Sequence, residues 1–166
     1  ESLGAFPAMI WALAYARVHQ PHAALVYTPM DGYYGKTQEH LQAFAELLDR
    51  AIAVAQAEDA IVLVGASPSS TPEEWAGLGA IQLDPHPSGH GPLVHRVAAF
   101  EEKPSPQRAA QLIREGGSLW GLGIYVVTVE AMERLLHAYQ PRMFRTYRAM
   151  VEALARGDQA EVTRQF

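Results

Sequence analysis

The chain has 166 residues, contains no cysteine and carries a formal net charge of −5 at pH 7. Its length predicts one domain with a sizeable core, and the lack of basic runs argues against binding to nucleic acid or to an anionic membrane. The missing cysteines exclude disulfides and thiolate metal sites, which is typical of a cytoplasmic protein. No apolar run reaches the roughly 20 residues that a membrane span needs.

The first part of the sequence predicts a helix followed by a strand. The helix is predicted over 7–18, because proline is tolerated in a first turn and apolar residues recur at helical spacing; Trp11 is interpreted as a core residue. A near-continuous apolar strand is predicted over 23–28 and ends shortly before Asp31. A carboxylate in this position suits Mg²⁺, which takes oxygen ligands, whereas from spacing alone an Asp-Gly turn is favoured.

The segment Gly-Tyr-Tyr-Gly-Lys-Thr at 32–37 does not fit the nucleotide phosphate loop G-x-x-x-x-G-K-[ST], because Met30 stands where the first glycine is required. Thr37 instead predicts the N-cap of a helix. That helix leads to an apolar strand over 60–64, and the order strand, helix, strand indicates the right-handed crossover of a parallel sheet. The sequence therefore predicts an α/β fold with a mostly parallel sheet.

The stretch 94–104 is typical of an apolar strand that ends at Glu102, Lys103 and Pro104. Pro104 cannot continue a sheet ladder and is expected to hold Lys103 in an extended conformation. A carboxylate accepts hydrogen bonds from sugar hydroxyls and an ammonium pairs with phosphate, so Glu102 and Lys103 are candidates for binding a sugar phosphate. From the tripeptide alone, a solvated turn is the favoured alternative.

Three glycines in predicted strands are further candidates. Gly79 begins a strand over 79–83, and Gly121 and Gly123 are expected on one face of a strand over 119–127. Glycine weakens a strand unless something must approach the backbone closely. These positions therefore predict close approach by a ligand or by another part of the chain.

Helix boundaries are predicted from capping residues. Ser105 and Thr128 are expected to begin two helices, and Gly116 and Gly157 are expected to end helices. The polar segment 84–92 is predicted to form a hairpin tip.

Four motifs stand in order along the chain, namely Gly65-Ala66-Ser67-Pro68, Gly77-Leu78-Gly79-Ala80-Ile81, Phe100-Glu101-Glu102-Lys103-Pro104 and Trp120-Gly121-Leu122-Gly123-Ile124-Tyr125. Together they resemble the sugar-1-phosphate nucleotidyltransferases, most closely the mannose-1-phosphate guanylyltransferase branch. In that family a G-x-P segment, a G-Y-G-Y-I-like strand, an F-x-E-K-P strand end and a W-N-S-G-M-F-like strand occur in this order and at similar spacing. The resemblance extends from Glu1 to about Phe144.

The resemblance implies an α/β fold with a mostly parallel, Rossmann-like sheet of the glycosyltransferase-A type, flanked by helices and carrying an antiparallel hairpin insertion. It also implies a transferase that joins a sugar-1-phosphate to a nucleoside triphosphate and releases pyrophosphate, with GDP-mannose as the expected product and Mg²⁺ as cofactor. The implied domain covers 1–166 and is truncated at both ends, because the family's glycine-rich nucleotide loop and its C-terminal metal-binding segment are not in this sequence. The chain alone is therefore expected to be inactive.

By the same resemblance, Asp31 binds the metal and is catalytic together with Lys103, which pairs with the sugar phosphate. Glu102 is expected to accept hydrogen bonds from sugar hydroxyls. The expected substrate-binding residues are Gly79, Glu102, Lys103, Gly121 and Gly123.

The chain departs from the family at three of the motif positions. Gly121 stands where the family has asparagine, and Leu78 and Ala80 replace tyrosines. These departures favour a second hypothesis, a non-catalytic sugar-phosphate-binding or regulatory domain of the same fold. A glycosyltransferase of related fold is a third, although the sequence lacks the Asp-x-Asp metal motif that such enzymes usually need.

Overall fold

The structure is a computed structural model that describes residues 6–30, 32, 35–68, 75 and 77–165. The described helices are α1 (Phe6–His19), α2 (Gln38–Glu58), α3 (Pro106–Glu115), α4 (Val129–Tyr139), α5 (Pro141–Ala155) and α6 (Gln159–Gln165). The described strands are β1 (Ala24–Tyr27), β2 (Val62–Ala66), β3 (Ala80–Pro87), β4 (His95–Glu101) and β5 (Ser118–Thr128). None of these helices is long and apolar enough to cross a bilayer.

The chain divides into two compact units. Unit 1 comprises Glu1–Val62 with Tyr125–Phe166, and unit 2 comprises Leu63–Ile124.

Unit 1 contains a helical core beside a short strand pair. Helices α1, α4 and α5 pack against one another, and Leu13 and Tyr147 are completely buried between them. β1 pairs antiparallel with the last residues of β5, from Ala24 opposite Thr128 to Tyr27 opposite Tyr125. Burial of large apolar side chains is the main stabilising contribution here, about 1.5–3 kcal/mol for each one. Trp11, predicted to lie in this core, is 41% exposed instead.

Unit 2 is built around the β3–β4 hairpin. β4 pairs antiparallel with β3, and β3 also pairs antiparallel with the first residues of β5. Helix α3 covers one face of these strands through a buried cluster of Ala80, Ala109, Leu112 and Trp120. The hairpin therefore has one face packed on a helix, as is usual for antiparallel sheets.

The helix caps expected from the sequence are confirmed. The hydroxyls of Thr37, Ser105 and Thr128 each accept a hydrogen bond from the backbone N–H three residues later, at 3.2, 3.2 and 3.1 Å. Each bond satisfies one of the four N–H groups that a helix leaves unpaired at its start. Gly116 follows the last residue of α3 with φ 72°, and Gly157 follows α5 with φ 73°.

The predicted mostly parallel sheet is wrong for the strand pairs whose register is described. β1–β5, β3–β4 and β3–β5 are all antiparallel. β4 and β5 do point in the same direction, as a strand–helix–strand order implies, but β3 lies between them and pairs with both. The strand–helix–strand unit predicted from the sequence runs through α2, and its two strands, β1 and β2, both pair with β5.

Candidate functional site

Three residues lie side by side in unit 2 and are here called the glycine row: Gly79, directly before β3, Glu102, directly after β4, and Gly121, within β5. Gly121 N–H donates a hydrogen bond to the Gly79 carbonyl oxygen at 2.8 Å. A Cβ on Gly79 would lie 3.2 Å from Glu102 Oε2. Because side chains alternate along a strand, and Ala80 and Trp120 pack against α3, this row faces the side of the sheet opposite α3.

The ring of Phe100 lies directly over Gly79. A Cβ added to Gly79 would meet the ring, with Phe100 Cε2 only 2.8 Å away. Real Cβ atoms do not approach other atoms this closely, so a side chain at this position would displace the Phe100 ring. The predicted close approach at Gly79 is thus made by a side chain of the protein itself.

Glu102 and Lys103 follow the end of β4, as predicted, and their charged groups lie side by side. Lys103 Nζ is 3.9 Å from Glu102 Oε1, and the two side chains are 67% and 64% exposed. An ion pair this open to water contributes about 0–1 kcal/mol to stability. The pair therefore presents a carboxylate acceptor and a phosphate-binding ammonium at one place on the surface.

The backbone at Lys103 does not have the extended conformation that the following proline predicts. Its φ is 46°, in the left-handed region that non-glycine residues rarely adopt. Pro104 is buried and Ser105 already caps α3, so the chain has to reverse from β4 into the helix within a few residues, and Lys103 makes that turn. The left-handed conformation costs a residue with a side chain about 1–2 kcal/mol.

An ion pair that the sequence analysis missed joins the end of β4 to α3. Arg108 Nε donates to Glu101 Oε2 at 3.0 Å, and the two side chains are 33% and 36% exposed. Glu101 alternates with the glycine row and so faces α3, while Arg108 lies in the first turn of that helix. This contact could have been predicted from the alternation of side chains along β4 and from the position of Arg108 in the first turn of α3. The ion pair stabilises the turn that contains Lys103.

Gly123 is set apart from the glycine row by its backbone. Its φ is 70°, and it lies between the segment of β5 that pairs with β3 and the segment that pairs with β1. This conformation accounts for a glycine here without a ligand. The structure thus brings Gly79, Glu102 and Gly121 together with Lys103 beside them, and gives Gly123 a conformational reason of its own.

Asp31 lies outside the described residues, so its predicted metal-binding and catalytic roles stay predictions. Across residues 6–30, 32, 35–68, 75 and 77–165, no group of three His, Asp or Glu side chains is close enough to hold a metal ion.

Unit 1 contains a surface groove of about 520 Å³ that none of the predicted site residues lines. Two of its lining residues form an ion pair, with Arg17 Nε 3.3 Å from Glu133 Oε1, and the hydroxyl of Tyr147 donates to the same carboxylate. Burial and the bond to Glu133 raise the pKa of the Tyr147 phenol. Paired charges of this kind stabilise the helices and leave no excess charge for a ligand.

Comparison with known proteins shows which family this chain belongs to. The profile of the Nucleotidyl transferase family matches residues 1–163. The chain belongs to this family. No curated protein sequence gives a significant match.

Among the solved structures that resemble the chain are two crystal structures. One is the crystal structure of "mannose-1-phosphate geranyltransferase" from Thermus thermophilus, with a TM-score of 0.72 and 24% identity over 94% of this chain. The other is the crystal structure of mannose-6-phosphate isomerase from Helicobacter pylori, with a TM-score of 0.69 and 23% identity over 88% of this chain. The chain spans 42% of the first structure's length and 50% of the second's. The predicted α/β nucleotidyltransferase fold with flanking helices is confirmed, with antiparallel pairing as its correction.

Proposed function

We propose that this chain provides the sugar-phosphate-binding part of a nucleotidyltransferase that makes an NDP-sugar from a sugar-1-phosphate and a nucleoside triphosphate and releases pyrophosphate. GDP-mannose is the first product to test. The single observation that carries the proposal is the glycine row with the Lys103 ammonium beside it, at the end of β4. The proposal agrees with membership of the Nucleotidyl transferase family.

The charged pair next to the row offers what a sugar phosphate needs. Lys103 Nζ and Glu102 Oε1 are 3.9 Å apart, so one small ligand can contact both. The ammonium pairs with the phosphate, and the carboxylate accepts hydrogen bonds from ring hydroxyls. Because Gly79 and Gly121 lack side chains, a sugar ring beside Glu102 can approach the backbone once the ring of Phe100, which lies over Gly79, has moved aside.

In the proposed reaction an oxygen of the sugar phosphate attacks the α-phosphorus of the triphosphate, and pyrophosphate leaves. No covalent intermediate with the enzyme is required, so catalysis consists mainly of positioning and charge neutralisation. Lys103 holds the attacking phosphate and reduces its repulsion from the triphosphate. Mg²⁺ would neutralise the triphosphate when bound; Asp31 stays its predicted ligand, and no step above depends on it.

A second candidate is a non-catalytic domain that binds sugar phosphates or regulates a partner enzyme. The residue Gly121 favours this candidate: it can contact a sugar ring only through its backbone, whereas the family has an asparagine side-chain amide at this position.

The cytoplasmic location expected from the missing cysteines stays a prediction.

The first experiment is calorimetric titration of the chain with mannose-1-phosphate. Lys103→Ala removes a charge-assisted contact worth about 1.5–3 kcal/mol, so affinity should fall by about tenfold or more. Arg96→Ala, a cation on the same strand outside the glycine row, is the matched control and should change affinity little. Equal effects of the two substitutions would remove Lys103 from the site.

The second experiment separates the two candidates. Pyrophosphate release by the full-length gene product is measured with mannose-1-phosphate, GTP and Mg²⁺, and then with other hexose-1-phosphates and triphosphates. Release supports the transferase, whereas sugar-phosphate binding without release for any pair supports the non-catalytic domain.

A further inference from the structure

Phe100 covers both glycines of the glycine row. The atom that lies 2.8 Å from a Cβ built on Gly79, Phe100 Cε2, is also 3.9 Å from a Cβ built on Gly121. The ring therefore occupies the surface where Gly79 and Gly121 would let a ligand ring approach.

The register of the hairpin explains this position. Phe100 is opposite Ile81 and Glu101 is opposite Ala80, and Glu102 lies beside Gly79, two residues beyond the Phe100–Ile81 pair. The ring reaches diagonally from its own pair to the neighbouring glycine, whose backbone would otherwise be bare. An aromatic side chain that covers a glycine on an adjacent strand stabilises a sheet, so the free protein favours this arrangement.

Phe100 is nevertheless poorly held. Its side chain is 45% exposed, and all residues of β4 before Glu101 are exposed. Exposed side chains change rotamer within nanoseconds, in contrast to rings locked in a core. An alternative rotamer that uncovers Gly79 is thus accessible without any movement of the backbone.

We infer that Phe100 gates the proposed sugar-phosphate site: its ring must leave Gly79 before a hexose ring can bind there. This inference rests on the proposed function and adds the residue that controls access to the site. When the binding-competent state is only a minor fraction of the protein, the apparent affinity is reduced by that fraction. Inorganic phosphate carries no ring that has to reach Gly79, so its contact with Lys103 should not depend on the gate.

The test compares two ligands on the complete 166-residue chain. Phe100→Ala should bind mannose-1-phosphate about tenfold more tightly than the unsubstituted protein, as expected for an open state populated at about a tenth. Inorganic phosphate, which has no ring, should bind both proteins equally. Val97→Ala is the matched control, since Val97 is also an exposed apolar residue of β4, and it should change neither affinity.

A second measurement needs no ligand. Gly79→Ala should lower the unfolding midpoint of the unsubstituted protein and should lower that of Phe100→Ala much less, because the colliding ring is then gone. Equal losses in both backgrounds would overturn the inferred ring position and the gate with it.

The outcomes separate the gate from the proposed function. Unchanged or weaker binding of mannose-1-phosphate by Phe100→Ala would overturn the gate and leave the proposed function standing, and weaker binding would in addition make the ring a platform for the sugar. If neither protein binds any hexose-1-phosphate, the proposed function fails and the gate fails with it.

Discussion

The two units bury their chains very differently. In unit 1, helices α1, α4 and α5 enclose side chains that are almost completely buried, such as Leu13, Tyr147 and Met150. In unit 2, β4 carries the candidate binding groups at its end and is exposed along most of its length. The buried residues of unit 1 stabilise the fold by packing, and no ligand is needed to explain them. The exposed Glu102–Lys103 ion pair and the left-handed backbone at Lys103, by contrast, add little or nothing to the stability of unit 2. Strain and exposure of this kind are typical of functional sites.

The largest expected effect tests the helical core of unit 1. Leu13→Ala should lower the free energy of unfolding by about 2–5 kcal/mol, because it removes a fully buried side chain and leaves a cavity. Trp11→Ala on the same helix is the control and should cost less, since 41% of Trp11 is exposed. Urea denaturation followed by circular dichroism measures both. A Trp11 cost equal to that of Leu13 would contradict the division between buried and exposed faces of α1.

The next effect tests the glycine row of unit 2. Gly79→Ala should destabilise the protein by about 1–3 kcal/mol, because the new methyl group collides with the ring of Phe100 and forces a shift. Gly77→Ala is closely matched, lying two residues earlier with no atom within 4 Å of an added Cβ. It should leave the unfolding midpoint in urea nearly unchanged, and a similar loss for both would show that the row is not tightly packed.

A smaller effect comes from a buried phenol in unit 1. Tyr27 donates a hydrogen bond to the Met9 carbonyl oxygen at 3.1 Å, so Tyr27→Phe should cost about 1 kcal/mol at neutral pH. Burial raises the pKa of Tyr27 from 10.0 to about 12. The unfolded chain therefore loses this proton at a lower pH than the folded chain does, and the stabilisation is complete below pH 10 and disappears as the pH rises through 12.

The alkaline limb of the stability curve checks this assignment. Between pH 10 and pH 12 the unsubstituted protein should lose stability more steeply than Tyr27→Phe does. Tyr139→Phe serves as the control, since Tyr139 is 76% exposed, and it should follow the unsubstituted protein. Parallel curves for all three proteins would contradict the burial of this phenol.

Local signals in the sequence predicted more of the fold than non-local ones. Thr37, Ser105 and Thr128 cap their helices as expected, because a cap depends on a hydroxyl and an N–H three residues apart. The choice of strand neighbours depends on pairings between distant segments. A run of apolar residues is compatible with parallel and antiparallel pairing alike, and the parallel prediction failed for that reason.

The candidate site divides in the same way. The family resemblance was what placed Gly79, Gly121 and Glu102 at one site, because alternation along a strand does not show which strands are neighbours. The position of the Phe100 ring could not be predicted, because it depends on a diagonal contact across the hairpin. Likewise, the general preference of residues before proline gave the wrong backbone at Lys103, since the turn into α3 outweighs it.

The smallest expected effect separates the strain at Lys103 from its charge. Lys103→Gly removes the strain of a left-handed conformation, which costs about 1–2 kcal/mol. Glycine also makes the unfolded chain more flexible, and this lowers the free energy of unfolding by about 0.4–1 kcal/mol. Lys103→Ala keeps the strain and removes the same ammonium group. Lys103→Gly should therefore be more stable than Lys103→Ala by about 0.5–1 kcal/mol, while both lose the same affinity for mannose-1-phosphate. If the alanine variant is as stable as the glycine variant, the turn at Lys103 is not strained. The contrast between the packed unit 1 and the binding edge of unit 2 would then depend only on the difference in exposure.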